Sequence, residues 1–144
     1  MLFFKTITEA NFDEILKLKL DPGSHCAENV YSLAEAWLFK ASAKPFAIYN
    51  DDTLVGFIMF DDDPKEREIG IWRMMFDIKY QNQGLGYKTL IKVIEETKNK
   101  QAYDYMYLYC SPLNKRAMHL YKKVGFYATG DIEHGEHILR YDFR

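Results

Sequence analysis

The sequence predicts a single-domain α/β fold in which about four helices flank a mixed, mostly antiparallel central sheet. The chain has 144 residues, which suits one domain with one core. Its composition, with 48% hydrophobic and 28% charged residues, is typical of a globular protein. Hydrophobic periodicity gives the order β α α β β β α β α β β. Antiparallel runs followed by β-α-β-α-β indicate one mixed sheet.

Two helices are predicted after a first strand at residues 3–7. The turn at residues 21–23 ends the first helix. The residues predicted to face inward are, for the first helix, Phe12, Ile15 and Leu16, and for the second, Val30, Leu33, Ala34, Trp37, Leu38 and Ala41. Ser32 and Glu35 fit an S-x-x-E capping box, and a start at Asn29 is the alternative.

Three strands are predicted in the middle of the chain, at residues 45–49, 54–60 and 68–76. Turns are predicted at residues 50–52 and 61–64, where asparagine, aspartate and proline interrupt the apolar pattern. The third strand is a nearly continuous apolar run, which is typical of a buried strand.

The second half of the chain is predicted to contain a helix at 87–98, a strand at 105–110, and a helix that begins after Asn114 and ends at Gly125. A hairpin of strands at 126–132 and 137–143 follows. The residues predicted to face inward are, for the first of these helices, Tyr87, Leu90, Ile91 and Ile94, and for the second, Ala117, Leu120, Tyr121 and Val124. In the strand, three tyrosines alternate with Met106, Leu108 and Cys110.

Composition also argues against several classes of function. The net charge is −2 without a basic block, so no nucleic-acid partner is expected. No apolar run approaches the roughly 18 residues of a membrane span, and no signal peptide is recognised, so we expect a cytoplasmic protein without a membrane partner. Cys26 and Cys110 are too few for a disulfide framework, and His134 and His137 lack further ligands at metal spacing, so no metal is expected.

A glycine-containing segment, Gln81-Asn82-Gln83-Gly84-Leu85-Gly86, joins the predicted buried strand to the next predicted helix. The first N–H groups of a helix have no internal partner and lie at the positive end of its dipole, so this turn is a candidate phosphate site. Glycine lets a ligand approach the backbone. The pattern is Q-x-x-G-x-G. It is not a nucleoside-triphosphate loop, because Tyr87 replaces the second glycine, nor a dinucleotide loop, because Thr89 replaces the third.

A second pattern, N-x6-Y, consists of Asn114 and Tyr121, followed by a Gly125-Phe126 step into the next strand. Seven residues are almost two helical turns, so both side chains lie on nearly the same helix face. Taken alone, the pattern also fits a capping asparagine and a tyrosine packed in the core.

Together the two patterns resemble the GNAT family of N-acetyltransferases, and the resemblance covers essentially the whole chain. It implies acetyl transfer from acetyl-CoA to a small-molecule amine, with backbone N–H groups of the loop holding the diphosphate, the Gln81 side chain supporting the turn, and the strand before the loop pairing with the pantetheine arm. The cofactor-binding residues that it implies are Met74, Phe76, Gln81, Asn82, Gln83, Gly84, Leu85, Gly86, Tyr87 and Asn114. A phenol can protonate a leaving thiolate of pKa about 8.5, so Tyr121 is the candidate general acid.

Residues 28–37 and 72–77 are similar to segments of bacterial diamine, spermidine and spermine N-acetyltransferases, which implies a polyamine acceptor. The candidate substrate-binding residues are Glu28, Tyr31, Glu35 and Asp77. The base that deprotonates the amine is not identified; Glu28, Glu35, Asp77 and Glu133 are candidates, and each also fits a solvated surface charge. Another amine (a protein N-terminus or an aminoglycoside) and a non-catalytic acyl-CoA-binding module are the alternatives. A homodimer is implied by the resemblance alone.

Overall fold

The computed structural model describes residues 1–24 and 26–144. Its helices and strands follow the predicted order, with a short 3-10 helix added at Ile78–Tyr80. The elements are β1 (Leu2–Thr6), α1 (Phe12–Leu16), α2 (Asn29–Leu38), β2 (Ala43–Asn50), β3 (Thr53–Asp63), β4 (Glu68–Phe76), α3 (Leu85–Lys100), β5 (Tyr105–Cys110), α4 (Lys115–Val124), β6 (Tyr127–Glu133) and β7 (Glu136–Asp142).

The seven strands form one sheet in the order β1-β2-β3-β4-β5-β7-β6. The pairs β1–β2, β2–β3, β5–β7 and β6–β7 are antiparallel, and β4–β5 is parallel. The predicted mixed, mostly antiparallel sheet with four α-helices is therefore confirmed. None of the helices in the described part of the chain is both long and apolar enough to cross a membrane.

Two compact units divide the chain. The first comprises Met1–Asp61 and Trp72–Leu85, and the second comprises Asp62–Ile71 and Gly86–Arg144. The first unit therefore holds β1, β2, α1, α2, most of β3 and the carboxyl half of β4. The second unit holds the amino half of β4, nearly all of α3, and every later element.

The core of the first unit is aliphatic and aromatic. Its fully or nearly fully buried members include Ile15, Ala47, Phe57, Met59 and Met75. Each large side chain that leaves water here contributes roughly 1.5–3 kcal/mol to folding, so these residues fix α1 and strands β2 to β4 together.

In the second unit the alternation predicted for the strand at 105–110 is confirmed. Met106, Leu108 and Cys110 are buried on one face of β5. The tyrosines of the other face lie nearer the surface, and the Tyr105 hydroxyl donates a hydrogen bond to the Glu68 carboxylate. That hydrogen bond, with burial and the charge of Glu68, raises the pKa of Tyr105 to about 12.

The turn predicted at residues 61–64 is displaced. Residues up to Asp63 belong to β3, and the turn follows at residues 64–67. The Tyr103 hydroxyl donates a hydrogen bond to the Asp62 carboxylate. Asp62 can therefore remain within the strand, because a tyrosine distant in sequence satisfies its carboxylate. The run of acidic residues was for this reason a misleading signal for the end of the strand.

The face of helix α2 that contacts the core is rotated from the one predicted. Val30, Trp37 and Leu38 are 58%, 72% and 73% exposed, whereas Asn29, Ser32 and Ala36 are buried. The predicted inward stripe is therefore wrong for Val30, Trp37 and Leu38, whereas Leu33 of the same stripe packs against the core as predicted. Helical spacing identifies an apolar face but not the surface that covers it.

The start of α2 follows the alternative prediction. The helix begins at Asn29 with Glu28 as its N-cap, and no side chain caps it. The capping box of Ser32 and Glu35 is therefore wrong. Ser32 is buried within the helix, and Glu35 pairs with an arginine of β4.

Three further helices differ in part from the prediction. In the five-residue helix α1, only Ile15 is buried, while Phe12 and Leu16 are 44% and 37% exposed. Helix α3 begins two residues before the predicted start; Leu90 and Ile94 are buried as predicted, but Tyr87 and Ile91 are about 40% exposed. In α4 the four residues predicted to face inward are half-buried.

Candidate active site

The loop between the 3-10 helix and α3 has a left-handed backbone at two positions. Asn82 has φ 63° and Gly84 has φ 75°. A Cβ atom built at Gly84 meets no atom within 4 Å, so open space lies beside this part of the backbone. Glycine is favoured at position 84 because it adopts a left-handed backbone without strain, and the open space beside it leaves room for a ligand.

Side chains of the loop anchor it to the preceding segment. The Gln81 Nε2 group donates to the Phe76 carbonyl oxygen at 3.1 Å, and Gln83 Nε2 donates to the Lys79 carbonyl at 3.5 Å. Gln81 thereby holds the loop against the end of β4. An anchored loop loses less conformational entropy when it binds a ligand.

The first turn of α3 adds backbone hydrogen-bond donors next to this loop. The helix begins at Leu85, so the N–H groups of residues 85–88 have no carbonyl partner four residues earlier within the helix. Leu85 and Thr89 are buried and fix the first turn, whereas Asn82, Gln83 and Gly84 are exposed. A fixed turn with outward donors at the positive end of a helix dipole is suited to an anion such as a diphosphate.

The carboxyl half of β4 directs backbone groups away from β3. The Asp77 N–H donates to the Val55 carbonyl of β3 at 2.9 Å. Because backbone groups of successive strand residues point to opposite sides, Met74 and Phe76 face away from β3. The Phe76 carbonyl accepts from Gln81 on that side, and the parallel pairing of β4 with β5 covers Glu68–Ile71 only. On this edge a side chain, rather than a strand ladder, therefore satisfies the Phe76 carbonyl.

Cys26 lies beside the same edge, with its sulfur near the Met74 N–H group. Burial raises the pKa of the Cys26 thiol, and the opposing effects of the Arg73 charge and the Met74 N–H are smaller. The thiol therefore stays protonated at neutral pH, which makes it a poor nucleophile. Both cysteines are free.

Glu35 forms an ion pair with Arg73 that the sequence did not predict. Arg73 Nη2 lies 2.7 Å from Glu35 Oε1, and the two side chains are only 19% and 17% exposed. The guanidinium also lies over the Trp72 ring, 5.7 Å from its centroid. The interpretation of Glu35 as a solvated surface charge is therefore wrong. An arginine within an apolar strand was the available signal, because such residues are almost never buried unpaired.

Asp77 is a buried carboxylate that holds backbone groups. It is 6% exposed, and its two oxygens accept hydrogen bonds from the N–H groups of Lys19 at 2.9 Å and Lys79 at 3.1 Å. Its interpretation as a solvated surface charge is also wrong. Glu28 and Glu133, by contrast, are exposed, and Glu133 accepts a hydrogen bond from the Tyr109 hydroxyl.

The second unit carries the asparagine and tyrosine of the N-x6-Y pattern. Asn114 Oδ1 accepts a hydrogen bond from the Ala117 N–H at 3.2 Å and caps α4 as predicted. Tyr121 is half-buried, and its ring centroid lies 6.0 Å from that of Phe126 at an angle of 65°. Gly125 closes the helix with φ 124°. The cap and the glycine therefore define the two ends of the helix that carries Tyr121, and Phe126 packs against its ring.

Among the residues that the structure describes, no group of three or more histidine, cysteine, aspartate or glutamate side chains is arranged to hold a metal ion.

Comparison with known proteins identifies the family. The chain matches the acetyltransferase (GNAT) family over residues 10–126. It is 31% identical over 103 residues, which are 67% of this chain and 68% of the relative, to the spermine/spermidine N(1)-acetyltransferase of Bacillus subtilis strain 168.

Solved structures resemble the whole chain. One is a chimera of the spermidine N-acetyltransferase from Vibrio cholerae, with a TM-score of 0.80 at 14% sequence identity. The match covers 99% of this chain and 95% of the chimera's chain. An aminoglycoside acetyltransferase in complex with coenzyme A has a TM-score of 0.77 at 17% identity, with the same coverage of 99% and 95%. These likenesses support the fold, and the family match covers most of the chain. The resemblance inferred from the loop and the N-x6-Y pattern is therefore confirmed: this chain belongs to the GNAT family and is an acetyl-CoA-dependent N-acetyltransferase.

Proposed function

We propose that this enzyme transfers an acetyl group from acetyl-CoA to a primary amine of a polyamine such as spermidine or spermine. The observation that carries the proposal is the 31% identity with a spermine/spermidine acetyltransferase. A polycation needs acidic groups and apolar surface for its methylene chain. Helix α2 offers both, since Glu28 is exposed at its N-cap and the Tyr31 ring is 59% exposed.

In this proposal the cofactor is held by backbone groups. The N–H groups from Gly84 to Tyr87 bind the diphosphate, and the outward backbone of Met74 and Phe76 aligns the pantetheine arm. A free N–H near the end of β4 stabilises the charge that develops on the thioester oxygen. Asn114 contributes through its side-chain amide, whose oxygen already caps α4.

Tyr121 is the proposed general acid. When the neutral amine attacks the carbonyl carbon, a carbon–nitrogen bond forms, the carbon–sulfur bond breaks with its electron pair leaving on sulfur, and the nitrogen loses its extra proton to solvent. The phenol then donates its proton to the thiolate, which a group of pKa near 10 can do for a thiolate of pKa about 8.5.

The acceptor amine must lose a proton before it attacks, because a primary amine has a pKa of roughly 10.4. We assign direct contacts with the polyamine to Glu28 and Tyr31. Glu35 and Asp77 are assigned as positioning residues, since Glu35 is paired with Arg73 and Asp77 holds two backbone N–H groups.

The test of the acceptor is a CoA-release assay with spermidine, spermine, a diamine, an aminoglycoside and a peptide with a free N-terminus. The expected result is the highest kcat/KM for spermidine or spermine. A higher kcat/KM for the aminoglycoside or the peptide would contradict the polyamine assignment. CoA binding without release for any amine would favour the acyl-CoA-binding module. Glu28→Gln is expected to raise KM for spermidine but not for acetyl-CoA, with the exposed Glu9→Gln as control.

Substitution of Gly84 tests the loop. Alanine is strained at φ 75°, by an amount on the order of 1–2 kcal/mol, so Gly84→Ala is expected to raise KM for acetyl-CoA about fivefold to tenfold. Gly84→Asn should have a smaller effect, because asparagine tolerates this conformation. Steady-state kinetics at saturating amine would measure both. Equal losses in the two variants would instead mean that any side chain blocks the cofactor.

We also propose a homodimer that buries the exposed face of α2. Val30, Trp37, Leu38 and Phe39 are each at least 50% exposed; Val30 lies in the first turn of α2, and the other three lie at its carboxyl end. An apolar patch of several hundred Å² marks an interaction site, and it can form the core of an interface of ~800 Å² per partner. A second copy offers the same apolar side chains, so an isologous contact can pair them with each other. The Lys40 ammonium, which lies 4.4 Å from the Trp37 ring centroid, would lie at the edge of that contact.

Sedimentation velocity would test this dimer. Wild-type protein is expected to sediment as a dimer, and Trp37→Asp should give a folded monomer because a charge enters the apolar contact. Phe12→Asp, a change at an exposed aromatic residue of α1, is the matched control and should leave the dimer intact. A wild-type protein that remains a monomer at every concentration would exclude the proposal.

A further inference from the structure

A lysine of α4 lies against the aromatic residue that follows the loop. The Lys123 Nζ atom is 4.9 Å from the centroid of the Tyr87 ring, and both residues belong to the second unit. Tyr87 was predicted to face the core, but it is 38% exposed. Its ring is therefore at the surface, where the ammonium group covers it.

We infer that Lys123 binds a phosphate group of the cofactor and thereby determines its affinity. Tyr87 directly follows Gly86, and its backbone N–H is one of the first-turn donors of α3. The ammonium therefore lies over the side chain of a residue whose backbone carries one of those donors. Coenzyme A carries a diphosphate and a 3′-phosphate, and a lysine ammonium is a good point-charge partner for either. The inference depends on coenzyme A as cosubstrate and not on the proposed polyamine acceptor.

The contact with Tyr87 prepares the lysine for binding. A lysine side chain has four flexible carbons, and its rotamer freedom is lost when it is immobilised on a ligand. The attraction between the ammonium and the ring face restrains the side chain before the cofactor arrives. The chain has a net charge of −2, which opposes the approach of an anionic cofactor at long range. A positive charge fixed at the binding site offsets this repulsion locally.

Lys123 could instead serve only to stabilise the carboxyl end of α4. Lys122 and Lys123 both lie in the last turn of α4, where cations favourably oppose the helix dipole. That role is open to both lysines equally. The neighbouring Lys122 is also exposed, has the same charge and lies on the same turn, so Lys122→Ala is the matched control.

Isothermal titration calorimetry with CoA and with 3′-dephospho-CoA would test the inference in wild-type protein, Lys123→Ala and Lys122→Ala. Lys123→Ala is expected to raise the Kd of CoA about fivefold to tenfold, the loss of one charge-assisted phosphate contact, with no change in Tm of the unliganded protein. Lys122→Ala should change the Kd less than about twofold. Since no amine is present, failure of the polyamine proposal would not affect this result.

The two cofactors identify the phosphate. If Lys123→Ala weakens CoA but not 3′-dephospho-CoA, the lysine binds the 3′-phosphate; if it weakens both, the lysine binds the diphosphate. Equal losses from Lys122→Ala and Lys123→Ala would overturn the inference, because the effect would then be general charge. It would also be overturned by an unchanged Kd in Lys123→Ala, and a lower Tm with that unchanged Kd would assign the lysine to helix packing.

Discussion

Tyr121→Phe is expected to lower kcat about 100-fold while the Kd of acetyl-CoA stays unchanged, which is a typical contribution of a general acid. The substitution removes the hydroxyl group but keeps the ring that packs 6.0 Å from Phe126, so α4 should remain in position. Steady-state kinetics and calorimetry on the same preparation would separate turnover from binding. A control is Tyr127→Phe, which removes the hydroxyl that donates to Asp142 at the surface of the same unit.

An unchanged kcat in Tyr121→Phe would rule out the general-acid role of this residue. If Tyr121→Phe turns over at the wild-type rate, another group or a water molecule protonates the thiolate. A lower Tm with normal kcat would assign Tyr121 to packing, which is the interpretation that the N-x6-Y pattern also allows. In either case the acetyltransferase assignment would stand, because it depends on the family match.

Gly56→Ala is expected to destabilise the protein by about 2–3 kcal/mol, the upper part of the usual range of about 1–3 kcal/mol for a group forced into a packed region. A Cβ atom at this position would lie 2.5 Å from the Met75 carbonyl oxygen and 2.8 Å from the Phe76 ring. Strands β3 and β4 would have to move apart to accept it. For a protein of this size, the melting temperature should fall by about 5–10 °C.

The same substitution should weaken cofactor binding. The displaced backbone carries the Phe76 carbonyl that accepts from Gln81, so the loop loses its anchor. KM for acetyl-CoA is therefore expected to rise. Gly23→Ala is the control, because a Cβ atom there comes only within 3.8 Å of the Asp21 side chain. Thermal unfolding of Gly56→Ala indistinguishable from that of Gly23→Ala would refute the close approach of the two strands.

Local signals account for the features that the sequence predicted correctly. A glycine after an apolar helix predicted the helix end at Gly125, where φ is 124°. Strict alternation predicted the buried face of β5. The loop from Gln81 to Gly86 and the cap at Asn114 depend on a few adjacent residues, and such features can be recognised in a sequence without knowledge of the rest of the fold.

Contacts distant in sequence account for the errors. The buried face of α2 carries Asn29 and Ser32 because Asn29 donates to the Ile15 carbonyl of α1 at 2.9 Å, an interaction that apolar periodicity does not register. The pair of Glu35 with Arg73 joins residues 38 positions apart. Asp77 resembles a solvated turn residue, yet its partner Lys19 lies 58 positions earlier. Each of these three errors concerns what a residue touches, whereas the order of the surrounding helices and strands was predicted correctly.

The most direct test of the account is a crystal structure of the protein soaked with coenzyme A. The diphosphate should lie against the backbone of residues 84–87, with its oxygens within hydrogen-bond distance of their N–H groups. Diphosphate density elsewhere, with the loop from Gln81 to Gly86 unoccupied, would contradict the binding site on which every other assignment of this active site depends.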